Sequence, residues 1–154
     1  MSWQALRLVK RRMMFFLENL RYASQSTDRI VLIEPLNCHD APGYFLQNTA
    51  QAKAILTMLA HPNVKLMFDC YHVGRTEGDI ITRIQTLLPL IGHIQFASVP
   101  LRDRPDEGEL NNKAICEAIS KAGWSQPLGA EYKPNGPTEP TLGWMRYLKH
   151  SSLC

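Results

Sequence analysis

Apolar residues at Leu6, Val9, Met13, Phe16, Leu17 and Leu20 recur at intervals of three and four, the spacing of an amphipathic helix, so a helix is expected to open the chain. The segment from Arg29 to Leu36 is then apolar until a carboxylate and a proline end it, which reads as a short strand buried on both faces. Three more helix-then-strand patterns follow. Asn48 and Thr49 can cap a helix whose buried face is Ala52, Ile55, Leu56 and Leu59, leading into a strand from Val64 to Cys70. Ile80, Ile84, Leu87, Leu88 and Ile91 predict a helix closed by Gly92, with a strand from His93 to Pro100. Ala114, Ile115, Ala118 and Ile119 predict another that ends before Gly123, then a strand from Leu128 to Lys133 and a last helix over Leu142 to Leu148.

A helix followed by four strand-and-helix units predicts an α/β protein with a parallel sheet and helices packed outside it. Glu34, Asp69, Gln95 and Glu131 follow one another at 35, 26 and 36 residues. This is close to the roughly 30 residues per unit of a ~250-residue TIM (β/α)₈ barrel, of which four units make a partial barrel. The 154 residues are expected to form one domain, 1–154.

Composition narrows the class. With 45% hydrophobic and 20% charged residues the chain should fold, and a net charge of +3 with scattered basic residues offers no face for nucleic acid. Lys10-Arg11-Arg12 before a short apolar run resembles a leader, but Glu18 and Asn19 interrupt it and no small-residue cleavage site follows, so neither a leader nor a membrane span is expected. Four cysteines without a CxxC pair suggest buried or free thiols in a reducing cytoplasm.

The carboxyl ends of parallel strands open onto one face, where ligands bind. Glu34, Asp69 and Glu131 fall at such ends, and Gln95 lies within its strand on the face of His93 and Ala97. Either each merely caps a helix or closes a turn, or the four converge. Three carboxylates in one cavity repel unless a cation joins them, and an all-oxygen set suits Mg²⁺ or Mn²⁺ better than Zn²⁺. His72 is placed to bind substrate or orient a ligand, or is an ordinary loop histidine; His93 is a core histidine or a supporting donor. Arg102, in a long charged loop from Val99 to Asn111, can grip an anionic substrate through its planar fork, or pair with a neighbouring carboxylate.

The pieces IEPLN (Ile33 to Asn37), FDCYH (Phe68 to His72), GHIQ (Gly92 to Gln95), VPLRDRPDEGELN (Val99 to Asn111) and AEYKPNGPTEPTLGW (Ala130 to Trp144) resemble the hydroxypyruvate isomerase family. That family includes 2-oxo-tetronate isomerases and belongs to the xylose-isomerase-like barrels. The resemblance runs from about Asn19 to Trp144 and covers the last four of eight units, the C-terminal half; Met1 to Arg12 departs from the family pattern. It implies Glu34, Asp69, Gln95 and Glu131 as metal ligands, with Glu34 and Glu131 also the paired catalytic proton donor and acceptor. The expected activity is isomerisation of a small hydroxy-oxo acid through an enediol, whose negative charge a metal would stabilise.

Two other functions compete with it. Abasic-site endonucleases share the superfamily, but their multi-zinc sites need several histidines and a basic face. A truncated, non-catalytic fragment that binds metal or a partner chain is the third. A half barrel also leaves strand edges near Ile33 and Ala130, predicting self-association, a complementing half barrel or a flattened sheet. In a flat four-stranded sheet the edges carrying Glu34 and Glu131 lie roughly 15 Å apart, so that pair can share a small substrate only if the sheet curls.

Overall fold

The computed structural model describes residues 3–149. The elements run α1 (Trp3–Gln25), β1 (Val31–Ile33), α2 (Thr49–Leu59), β2 (Val64–Asp69), α3 (Cys70–Thr76), α4 (Ile80–Leu87), β3 (Ile91–Phe96), α5 (Asn112–Lys121), β4 (Leu128–Ala130) and α6 (Trp144–Lys149). The four strands are parallel and lie in chain order, β1-β2-β3-β4, giving the α/β, TIM-barrel-like arrangement expected from the alternation.

Local signals explain most boundaries. Asn48 Oδ1 accepts the Gln51 N–H at 2.8 Å and starts α2, and Gly123, at φ +89°, follows the end of α5 where a left-handed residue reverses the chain. The predicted helix from Ile80 to Gly92 is corrected: α4 stops at Leu87, because Pro89 cannot continue the amide ladder, and a 3₁₀ turn over Leu88–Leu90 leads straight into β3. Ile91 and Gly92 are therefore strand residues. Gly92 is required there, since a Cβ would lie 2.6 Å from that of Lys65 on β2.

The stretch after Asp69 is a helix, α3, rather than loop; the Asp69 carboxylate caps it by accepting the Tyr71 N–H at 2.8 Å. In α1, Leu17 and Leu20 are buried, whereas Leu6 and Val9 remain exposed, so its first turns do not join the core.

One apolar cluster lies between the sheet and its helices, with Ile33, Leu66, Phe68, Ile94 and Phe96 packed with Ile55, Ile84 and Ile119. The opposite face is only partly covered: Asp69 is buried and His93 and Gln95 half-buried, but Leu32 is 37% exposed, and burial of β1 on both faces is thereby corrected. Strand alternation puts Glu34, Lys65, Met67, Asp69, His93, Gln95, Gly129 and Glu131 on this inner face with Leu32. Cys70 and Cys116 are buried and Cys38 is exposed; Cys154 lies outside the described residues. Among the described residues no helix is long and apolar enough to cross a membrane.

Candidate functional site

Each strand delivers one polar side chain to the inner face near its carboxyl end. Glu34 follows β1 directly, Asp69 ends β2, Gln95 pairs in register with Asp69 on β3, and Glu131 follows β4. Gly129 makes room for this row, as a Cβ there would meet His93 Nε2 at 2.9 Å and Gln95 Cγ at 3.2 Å.

A chain of contacts crosses the row. His72 Nε2 sits 3.7 Å from Glu34 Oε1 and 3.8 Å from Asp69 Oδ2, close but beyond hydrogen-bond range. Arg102 Nη2 lies 3.2 Å from Asp69 Oδ2 and 3.0 Å from Glu131 Oε2, and its Nε donates to the Glu131 carbonyl at 3.2 Å. The guanidinium also stacks over the Tyr71 ring at 4.9 Å. One nitrogen of Arg102 thus bridges carboxylates from β2 and β4. The Glu131 charge, from the strand at the other edge of the sheet, is one of those that bear on Glu34.

The electrostatics follow from this crowding. Burial, reinforced by the Asp69 and Glu131 charges, lifts Glu34 to about 7. Burial likewise lifts Asp69 to about 6, opposed by the Tyr71 N–H and by Arg102. His72 is pushed down to about 4 by burial and then by Arg102, so it is neutral at physiological pH. Its tautomer is set by Asn37: the backbone N–H of Asn37, which can only donate, points at His72 Nδ1 at 3.1 Å, and Asn37 Nδ2 lies 2.8 Å from the same atom. The proton must then sit on Nε2, facing Glu34 and Asp69. Asn37 is held in turn by Asp40, which accepts from Asn37 Nδ2 and from the Tyr71 hydroxyl.

Ligand atoms of Glu34, Asp69 and His72 lie within 4.8 Å of one another, close enough to surround a metal ion. With its Nε2 protonated, however, His72 is arranged to donate a hydrogen bond rather than to ligate. Two buried acceptors, Glu34 Oε1 and Gln95 Oε1, have no hydrogen-bond partner. Buried oxygens without donors, beside carboxylates whose ionisation burial opposes, are what a hard divalent cation satisfies, so the oxygen set fits a divalent metal.

Of the residues singled out from the sequence, Asp69, Arg102 and Glu131 are in direct contact, and Glu34 joins them through His72. Gln95 shares their face and makes no side-chain hydrogen bond through Oε1. Arg102 is thus paired with carboxylates. Asn37, Asp40 and Tyr71 escaped the sequence reading. Asn37 and Tyr71 sit inside the IEPLN and FDCYH pieces, but no spacing links them to His72.

The profile of the xylose isomerase-like TIM barrel family matches residues 7–148. The chain is 40% identical over 134 residues to the 2-oxo-tetronate isomerase of Cupriavidus necator, covering 85% of this chain and 52% of that protein. It is 37% identical over 131 residues to the hydroxypyruvate isomerase of Escherichia coli, covering 83% and 51%. Among solved structures, the crystal structure of an AP endonuclease, family 2, from Brucella melitensis superposes with a TM-score of 0.86 at 36% identity, over 90% of this chain and 55% of that one. The chain spans about half the length of the curated relatives it matches.

Proposed function

The chain belongs to the xylose isomerase-like TIM barrel family, and from that premise we propose that it is the C-terminal half of an isomerase of small hydroxy-oxo acids, of the hydroxypyruvate or 2-oxo-tetronate type. The observation that carries this reading is the row of oxygen donors at the ends of four adjacent parallel strands, two of them buried without a partner.

Isomerisation of a 2-oxo-3-hydroxy acid moves a proton between adjacent carbons through an enediol. Glu34 and Glu131, from the two outer strands, are assigned as the acid and base that flank it. Burial raises Glu34 to about 7, which suits a group that must both hold and release a proton near neutral pH. His72, its proton held on Nε2 by Asn37, offers a neutral donor to a substrate oxygen. Arg102 offers a two-pronged grip for a carboxylate. Glu34, Asp69, Gln95 and Glu131 would hold the divalent ion, which when bound stabilises negative charge developing on the substrate oxygens.

On this reading residues 1–154 form a single domain. The partly open inner face and the edges of β1 and β4 favour completion by a second half barrel, from another copy or another chain. The Brucella relative's title raises a second enzymatic reading, endonuclease activity. The single histidine among the clustered ligand atoms favours the isomerase instead. The remaining alternative is a chain that binds metal or a partner without turning substrate over.

The test is Mg²⁺- or Mn²⁺-dependent conversion of hydroxypyruvate by the purified chain beside its Glu34→Gln and Glu131→Gln variants. The expected loss in either variant is on the order of 10²–10⁴-fold. Equal turnover in all three would refute the assignment; no turnover in the parent, alone or with a complementing half, would favour the non-catalytic reading.

A further inference from the structure

Arg102 makes contacts that a bound cation would compete for. Its Nη2 lies 3.2 Å from Asp69 Oδ2 and 3.0 Å from Glu131 Oε2, bridging two of the carboxylates assigned above to the metal. The other Asp69 oxygen, Oδ1, already accepts the Tyr71 N–H at 2.8 Å. Both Asp69 oxygens are therefore engaged. A divalent ion taking Oδ2 would lie beside a guanidinium on the same atom, and the two positive charges would repel through the poorly solvated space around a buried carboxylate.

The backbone of Arg102 is tied while its side chain has somewhere to go. The Arg102 N–H donates to Ser98 at 3.1 Å, its carbonyl accepts the Lys133 N–H at 2.7 Å, and its φ of +60° is a left-handed conformation that these two bonds hold in place. The side chain is 18% exposed, lies over the face of Tyr71, and contacts Glu131, which is 53% exposed at the rim of the site. Rotation about the side-chain torsions can carry the guanidinium off Asp69 toward the open inner face without moving the loop.

We infer that Arg102 is a counter-ion of Asp69 and Glu131 that competes with a divalent cation for them: its guanidinium would leave these carboxylates when they hold the cation, and the freed fork would bind the substrate carboxylate. This rests on the isomerase reading and adds an order of events to it, metal before substrate. One side chain thereby serves as counter-charge to the carboxylates and as the grip on the substrate.

The inference requires that removing Arg102 have opposite effects on the two ligands. Mn²⁺ binding to the full chain is measured by calorimetry, and by electron paramagnetic resonance of free Mn²⁺, for the parent, Arg102→Ala and Arg102→Lys. Affinity for hydroxypyruvate is read at saturating Mg²⁺, as KM where turnover occurs and as Kd otherwise. The expected result is Mn²⁺ binding at least tenfold tighter in Arg102→Ala, an intermediate value in Arg102→Lys, and hydroxypyruvate binding at least tenfold weaker in Arg102→Ala. Should the alanine variant fail to fold, the arginine Nε–H resonance of the parent serves in its place. It should shift on addition of Mg²⁺, and a resonance unmoved at saturation would overturn the inference. Equal or weaker Mn²⁺ binding in a folded Arg102→Ala would overturn the counter-ion role alone. Tighter Mn²⁺ binding with unchanged hydroxypyruvate affinity would overturn the hand-over to substrate. Absence of Mn²⁺ binding in every protein would overturn the metal reading beneath it.

Discussion

The two faces of the sheet are built on opposite terms. On the outer face Ile33, Leu66, Phe68, Ile94 and Phe96 are buried with Ile55, Ile84 and Ile119 from the helices. Each of those side chains lowers the free energy of the fold by leaving water. On the inner face the same strands present Glu34, Asp69, Gln95 and Glu131, with two buried acceptors lacking partners and two carboxyls lifted toward neutrality by burial. The inner row costs stability, offset in part by Arg102 and by the Tyr71 N–H. Strand alternation lets one short segment do both tasks, so the residues that hold the protein together sit next in sequence to those arranged for chemistry.

The contrast is open to direct attack. The largest effect is expected on the outer face, where Phe68→Ala should cost about 3–5 kcal/mol of unfolding free energy, read from denaturant titration, because Phe68 is fully buried and its neighbours cannot all close the void. A loss below about 1 kcal/mol would mean the helices are only loosely seated on the sheet. On the inner face, Gly129→Ala should destabilise by about 1–3 kcal/mol through crowding of His93 and Gln95, and should weaken Mn²⁺ binding as Gln95 is pushed aside.

The sharpest contrast is Glu34→Gln, which should stabilise the chain and, on the proposed isomerase reading, lower turnover on the order of 10²–10⁴-fold. Because the folded carboxyl titrates near 7 and the unfolded one near 4.5, the fold loses stability as pH rises through that window. The neutral amide escapes this loss. Its advantage, on the order of 1–2 kcal/mol after allowance for partial exposure, should be present at pH 8 and fade as the pH falls from 7 toward 4.5. Thermal melts across that range check it, and an advantage independent of pH would locate the strain elsewhere.

The alternation of helix and strand, the Asn48 cap and the strand-end carboxylates were all legible, because each depends on short-range periodicity or on a polar residue ending an apolar run. The end of α4 was misplaced: Ile91 continues the helical spacing, and only Pro89 and the pairing of β3 with β2 decide that it is strand. Helix α3 carries no periodic signal in its seven residues; a cap from Asp69 and burial of Cys70, Tyr71, His72 and Val73 create it.

What the sequence by itself determined is which side chains stand at the carboxyl ends of parallel strands, since apolar runs ending in Glu or Asp specify both strand and position. It also determined the family, through motifs spread along the chain. Only the tertiary structure decided how those side chains interact: that Arg102 bridges Asp69 to Glu131, and that Asn37 fixes the proton of His72 on the nitrogen facing the carboxylates. These are contacts between residues about 30 or more positions apart. They depend on strand register, sheet twist and the path of one loop, quantities that no local pattern of residues encodes.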